Sequence, residues 1–163
     1  MKLLAGLLLS VCAWAQAVPA PVALPNHIVF LEAVYDSAAH PNGSVTFGAG
    51  QSMSSTDYLT NMTDFMGSSL RGITVANRTG VQHIVFRSSD GKAFLFLSAD
   101  GGVAAAGQST AFSWSSGGGV GTLLASIKVA PTYLFFHVRF INSPVSADAK
   151  AIVASIGLTW GLQ

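Results

Sequence analysis

Charge is scarce in this chain: 9% of its 163 residues are Asp, Glu, Lys or Arg, with 8 cations against 7 anions. Half of the residues are hydrophobic, so the chain is the reverse of a disordered polypeptide, which needs many charges and few apolar groups. No run of lysine or arginine is present to neutralise phosphates, which excludes a nucleic-acid partner. Cysteine is all but missing. The single one, Cys12, falls within an N-terminal export leader, so no disulfide staples the remainder and core burial must hold it together. Leu9-Ser10-Val11-Cys12 resembles a bacterial lipoprotein cleavage box, but valine before the cysteine does not fit it.

Long uninterrupted apolar runs are also missing. The stretch from Leu3 to Val11 is too short to span a bilayer as a helix, which takes about 20 residues. The stretch from Leu123 to Ile141 contains Lys128, Pro131, His137 and Arg139, so it reads as two strands. The sequence therefore predicts no transmembrane segment.

Catalytic signatures do not occur. There is no His-Glu-x-x-His, and Gly50-Gln51-Ser52-Met53-Ser54 fails the nucleophile-elbow pattern at its last position. The run Gly117-Gly118-Gly119-Val120-Gly121 lacks the lysine of a phosphate loop and reads as a flexible connection. Glu32 and Asp36 would lie about 13 Å apart on a strand, beyond the separation of a glycosidase pair. An enzyme is not expected, nor is a cofactor.

What is present begins with an address. Lys2, the apolar stretch after it and the small residues around Ala15 and Ala17 mark residues 1–17 as a secretory signal peptide, cut near 15 or 17. Its removal takes Lys2 and leaves seven cations against seven anions. Residues 18–26 form a Pro-rich arm, and residues 27–163 a single β domain. Asn42, Asn61 and Asn77 each begin an Asn-x-Ser/Thr triplet, which predicts N-glycosylation of a eukaryotic secreted protein.

Strand signals dominate the domain. Ser89-Asp90-Gly91 marks a hairpin turn between two of them. Ala99-Asp100-Gly101-Gly102 repeats that turn chemistry. One segment, 56–66, reads as a short helix, because Tyr58, Leu59, Met62, Phe65 and Met66 fall on one face at a 3.6-residue period.

The chain also echoes itself. His27-Ile28-Val29-Phe30 recurs as His83-Ile84-Val85-Phe86, and Ala49-Gly50-Gln51-Ser52 as Ala106-Gly107-Gln108-Ser109. A third, ungapped echo aligns Leu70 through Phe86 with Leu124 through Phe140. Ile28 with Phe30, Ile84 with Phe86 and Val138 with Phe140 become core pairs, and each histidine takes the opposite face. Three like units predict an all-β domain with internal repeats, either a Greek-key or jelly-roll sandwich or a β-trefoil. From Ile84 to Val103 the strand, Asp-Gly turn, strand pattern resembles a fascin-type trefoil repeat. The short third unit and the missing first strand leave that family unassigned.

If the units circle a threefold axis, His27, His83 and His137 become equivalent and could meet as a metal site. Trp114 and Trp160 are the candidate ligand-binding aromatics. Residues 18–70 carry Glu32, Asp36, Asp57 and Asp64 with no cation, whereas 71–92 carry Arg71, Arg78, Arg87 and Lys92 against Asp90. An acidic and a basic patch of that kind could drive self-association, although ordinary solvation of two sparse faces accounts for them as well. The function expected from these features is a secreted, extracellular, lectin-like binding module for carbohydrate or another cell-surface or matrix ligand. The alternatives are a self-assembling matrix or coat protein and a secreted effector.

Overall fold

The computed structural model describes residues 25–36, 43–68, 72–127, 130–145 and 150–162. The signal segment 1–17, the arm as far as residue 24, and Asn42 lie outside them. Eight strands follow one another: β1 (His27–Asp36), β2 (Gly43–Ser52), β3 (Asp57–Ser68), β4 (Gly72–Arg87), β5 (Ala93–Ala106), β6 (Ser109–Ile127), β7 (Ala130–Asn142) and β8 (Lys150–Leu162). Each pairs antiparallel with the next, and β8 returns to β1 to close a barrel. Closure leaves no strand edge unpaired.

This architecture corrects the expected sandwich or trefoil. There are neither two stacked sheets nor three hairpin units about an axis, because every strand neighbours its successor. The echoed segments are not equivalent either. Ile28 and Phe30 are buried within the barrel, but a bulge between Ile84 and Phe86 turns Phe86 to the outside. Val138 is exposed and His137 is buried, the opposite of the expected facing. The repetition is that of strands drawing on a small set of β-forming residues.

Residues 57–66 of the expected helix belong to β3. There Tyr58, Thr60, Met62 and Asp64 are buried, while Leu59, Asn61 and Phe65 between them are exposed, the period-2 alternation of a strand. Leu59 and Phe65 belong to the outer face and Tyr58 and Met62 to the inner one; together they mimic a helical stripe. Ser115 to Gly121 is the middle of β6 rather than a loop, and Asp100 to Gly102 lies within β5. The Asp90-Gly91 signal does mark a turn: it joins β4 to β5, with Gly91 at φ 70°, a value that L-residues with a Cβ avoid.

Glycines make room inside the barrel. A Cβ at Gly121 would run into the Phe94 ring, so that aromatic lies over bare backbone of the neighbouring strand.

Candidate functional site

The barrel has an unusual division between its two faces. Leu97, Val103, Phe112, Ile152 and Ile156 are each more than half exposed on the outer wall. Phe47 and Phe65 stack on that same wall with ring centroids 5.7 Å apart. The charges go inward. Glu32, Asp64, Arg78, Asp100 and Arg139 are all buried. Among the described residues, the outer face carries ionisable side chains only near the barrel ends, where Asp57 meets His83 Nδ1 at 2.7 Å and His27 opens β1. The apolar-out, charge-in pattern inverts that of a soluble domain.

The interior is layered. One end is filled by Ile28, Phe30, Tyr58, Met62, Ile84, Phe96 and Phe135, the other by Val34, Ile141 and Val153. Between them lies an ionic layer to which every strand contributes. Arg78 of β4 binds Asp64 of β3 and sits 2.6 Å from Asp100 of β5 through Nε, an ion-pair contact rather than an aligned hydrogen bond. Its Nη1 donates to Ser113 of β6 at 3.2 Å. Arg139 of β7 donates from Nη2 to Thr46 of β2 at 3.1 Å and to Asp64 at 3.3 Å, and lies 3.6 Å from Glu32 of β1. Ser155 of β8 donates to Glu32 and Ser115 to Asp100, both at 2.6 Å. His137 stands 3.6 Å from Glu32 through Nδ1 and 2.9 Å from Ser98 Oγ through Nε2. Each buried carboxylate thus has a cation and a hydroxyl as neighbours, the condition on which buried charge is tolerated.

This packing leaves little space. A cavity of about 40 Å³ beside Tyr58, Phe96, Tyr133 and His137 has room for a few waters. On the outside, a groove of about 390 Å³ is lined by Leu31, Ala33, Val45, Leu134, Ile156 and Leu158.

The structure scatters the sites read from sequence. His27 is exposed at the start of β1, His83 is on the outer wall of β4, and His137 is inside; the barrel does not bring them together. Among the described residues no group of three His, Cys, Asp or Glu is placed to hold a metal ion. Trp114 lies outside on β6, its ring 5.4 Å from Phe140. Trp160 lies on β8, opposite Thr132 of β7, whereas Trp114 pairs with Asn142 of β7. Ten residues of β7 separate these two partners, about 33 Å along that strand. The tryptophans therefore mark opposite rims and do not share a pocket.

Asn61 and Asn77 are exposed at mid-wall on β3 and β4. Their two Asn-x-Thr triplets face each other in register, Asn61 opposite Thr79 and Thr63 opposite Asn77. The ionic layer is what sequence reasoning missed. Its signal was a charge between apolar neighbours, as in Leu31-Glu32-Ala33 and Val138-Arg139-Phe140.

No protein-family model matches the chain, and no curated protein matches it. Solved structures do share its fold. One is described as a de novo design of transmembrane β-barrels, with TM-score 0.59 and 11% identity over 90% of this chain and 100% of that one. Another is the N-terminal β-barrel domain of Pseudomonas aeruginosa OprF, with TM-score 0.56 and 10% identity over 84% of this chain and 98% of that one. At such identities the likeness is one of fold. Together with the outward apolar wall, it overturns the expected secreted, extracellular, lectin-like module and its coat-protein and effector alternatives. What the chain resembles is a closed eight-stranded antiparallel barrel of the kind designed to cross membranes.

Proposed function

We propose that this chain is a membrane-spanning β-barrel that is occluded and non-catalytic, and that serves as an embedded structural element rather than an open pore. The observation that carries the reading is the inversion of polarity: apolar side chains cover most of the outer wall, and the buried charges face one another inside. In a bilayer the hydrocarbon solvates the outer face, and a closed barrel satisfies every backbone donor and acceptor between its own strands. The rim tryptophans support it. They lie toward opposite ends of the barrel, and in such barrels aromatic residues gather at both interfaces. Occlusion follows from the cross-linked ionic layer and the aromatic packing at one end. That each interior carboxylate is engaged by arginine, histidine or serine supports a structural rather than a reactive role.

No helix among the described residues is long and apolar enough to cross a membrane; the strands would do so. The test is folding of the full chain into phosphatidylcholine vesicles. Flotation with the lipid and protection of the strands from added protease are expected. Brominated lipids should quench the tryptophans most strongly when the bromines lie near the headgroups. A chain that stays soluble and monomeric without detergent and does not float would overturn the reading.

A further inference from the structure

The chain enters β1 from inside the barrel mouth. Pro25, which precedes the first residue of β1 by two, is buried. Tyr58 of β3 donates its hydroxyl proton to the Pro25 carbonyl at 2.7 Å. Gly161 of β8 is bare where the proline lies: a Cβ there would come within 2.7 Å of the Pro25 ring and 2.9 Å of Pro131 of β7. Pro25 also lines the interior cavity. The residues that precede it therefore start at the mouth.

Pro25 alone does not satisfy this end of the barrel. Arg87 of β4 is half-buried and stands in register with Phe94 of β5, whose ring packs against the interior cluster. The Tyr133 hydroxyl of β7 and the Nε and Nη2 of Arg87 are buried, and none has a hydrogen-bond partner among the described residues. The guanidinium acts electrostatically on both Tyr58 and Tyr133, so these groups are near one another. Phe94 meets Tyr133 edge-on, with ring centroids 5.6 Å apart. Buried donors without acceptors are costly. What would relieve them is a row of acceptors on something apolar enough to lie among aromatic rings.

The arm Val18-Pro19-Ala20-Pro21-Val22-Ala23-Leu24 answers that description. It has no polar side chain, and Pro19 and Pro21 have no N–H to satisfy. A polyproline-type strand leaves its carbonyls free to accept, and aromatic-lined grooves recognise such strands. The bond from Tyr58 to Pro25 is already a contact of this kind. Tyr133 follows Pro131 by two residues, about 7 Å along β7, and seven extended residues reach about 22 Å.

We propose that the mouth formed by Tyr58, Arg87, Phe94 and Tyr133 is a docking site for a proline-rich segment, and that residues 18–24 of this chain occupy it with carbonyls turned to Arg87 and Tyr133. The inference concerns the barrel's own mouth and stands whether or not the outer wall meets lipid.

The test uses the full chain in a Cys12→Ser background, folded in detergent micelles, with Val22→Cys as its one thiol. A charged maleimide should label that thiol about tenfold more slowly in the folded chain than in the same chain unfolded in urea. Two independent changes should restore most of the rate. Arg87→Met with Tyr133→Phe removes the donors, and Gly161→Ala displaces Pro25. Circular dichroism checks that the barrel persists in each; Tyr133→Phe alone, which removes one oxygen, serves if either unfolds it. Labelling as fast in the folded chain as in the unfolded one, or protection that no change relieves, would overturn the docking. A fast-labelled thiol together with a melting temperature raised by inorganic phosphate would assign the donors to an anion and overturn it too.

Discussion

Arg139 on β7 donates from Nη2 to Asp64 on β3 at 3.3 Å, although 75 residues separate them in sequence. In a ring of eight strands β3 and β7 are diametrically opposed, so these two side chains together bridge the width of the interior. Arg139 also holds Thr46 and approaches Glu32. The layer is thus a cross-brace, and its members depend on one another.

Removing one cation should therefore cost far more than its own bonds. Arg139→Leu leaves Glu32 and Asp64 buried with too little positive charge. It is expected to destabilise the barrel by about 3–5 kcal/mol, read as a lower urea midpoint in detergent micelles. Arg139→Lys, which keeps the charge but loses the planar fork, should fall between the two.

A cation placed on the outer wall separates a lipid-facing surface from a water-facing one. Ile156→Arg substitutes an exposed residue of β8. In water such a change is nearly neutral. In a bilayer it should weaken folding into vesicles by about 2–4 kcal/mol if the position lies near mid-depth. The ratio of floated to unbound chain across a urea series gives the number.

Gly121→Ala drives a methyl group into the Phe94 ring. Overpacking of this kind is expected to cost about 1–3 kcal/mol. Phe94→Leu in the same chain should recover part of the loss, because it removes the ring that the methyl meets. A double-mutant cycle on thermal unfolding checks the coupling.

The β4–β5 turn should respond to acid. Asp90 accepts from Ser88 Oγ at 2.6 Å and from the Lys92 amide at 3.0 Å. These bonds hold its carboxyl below the ordinary value of 3.8, the Ser88 bond contributing most. A carboxylate whose folded-state pKa is depressed stabilises the turn above its unfolded value, and that contribution is lost as pH falls through the folded one. Protection of the Lys92 amide from hydrogen exchange should accordingly drop only at acidic pH, and Asp90→Asn should abolish the drop.

Much of the local structure was legible in the residues. Asp90-Gly91 marked its turn, and the charges inside 123–141 marked two strands rather than one span. The inside and the outside were not legible. Soluble strands alternate apolar and polar, but β1 reads apolar on both faces, since Ile28, Phe30 and Val34 fill the interior while Val29 and Leu31 cover the wall. Glu32 alone betrays which face is which. Glycine runs misled for a related reason: Gly121 looks like loop until Phe94 is seen above it. The Asn-x-Thr triplets were visible as acceptors. Their meeting across β3 and β4 depended on a register that only the closed sheet fixes.

Seven of the eight strand pairings join segments adjacent along the chain, and one, β1 with β8, joins its two extremes. Consecutive hairpins can zip up as soon as each emerges during synthesis, whereas the first strand must wait for the last with its amides bare. The thirteen residues of β8, Lys150–Leu162, thus work as the clasp of a bracelet. A polypeptide cut short before them would keep every earlier link and still hang open, an adhesive ribbon in need of a chaperone.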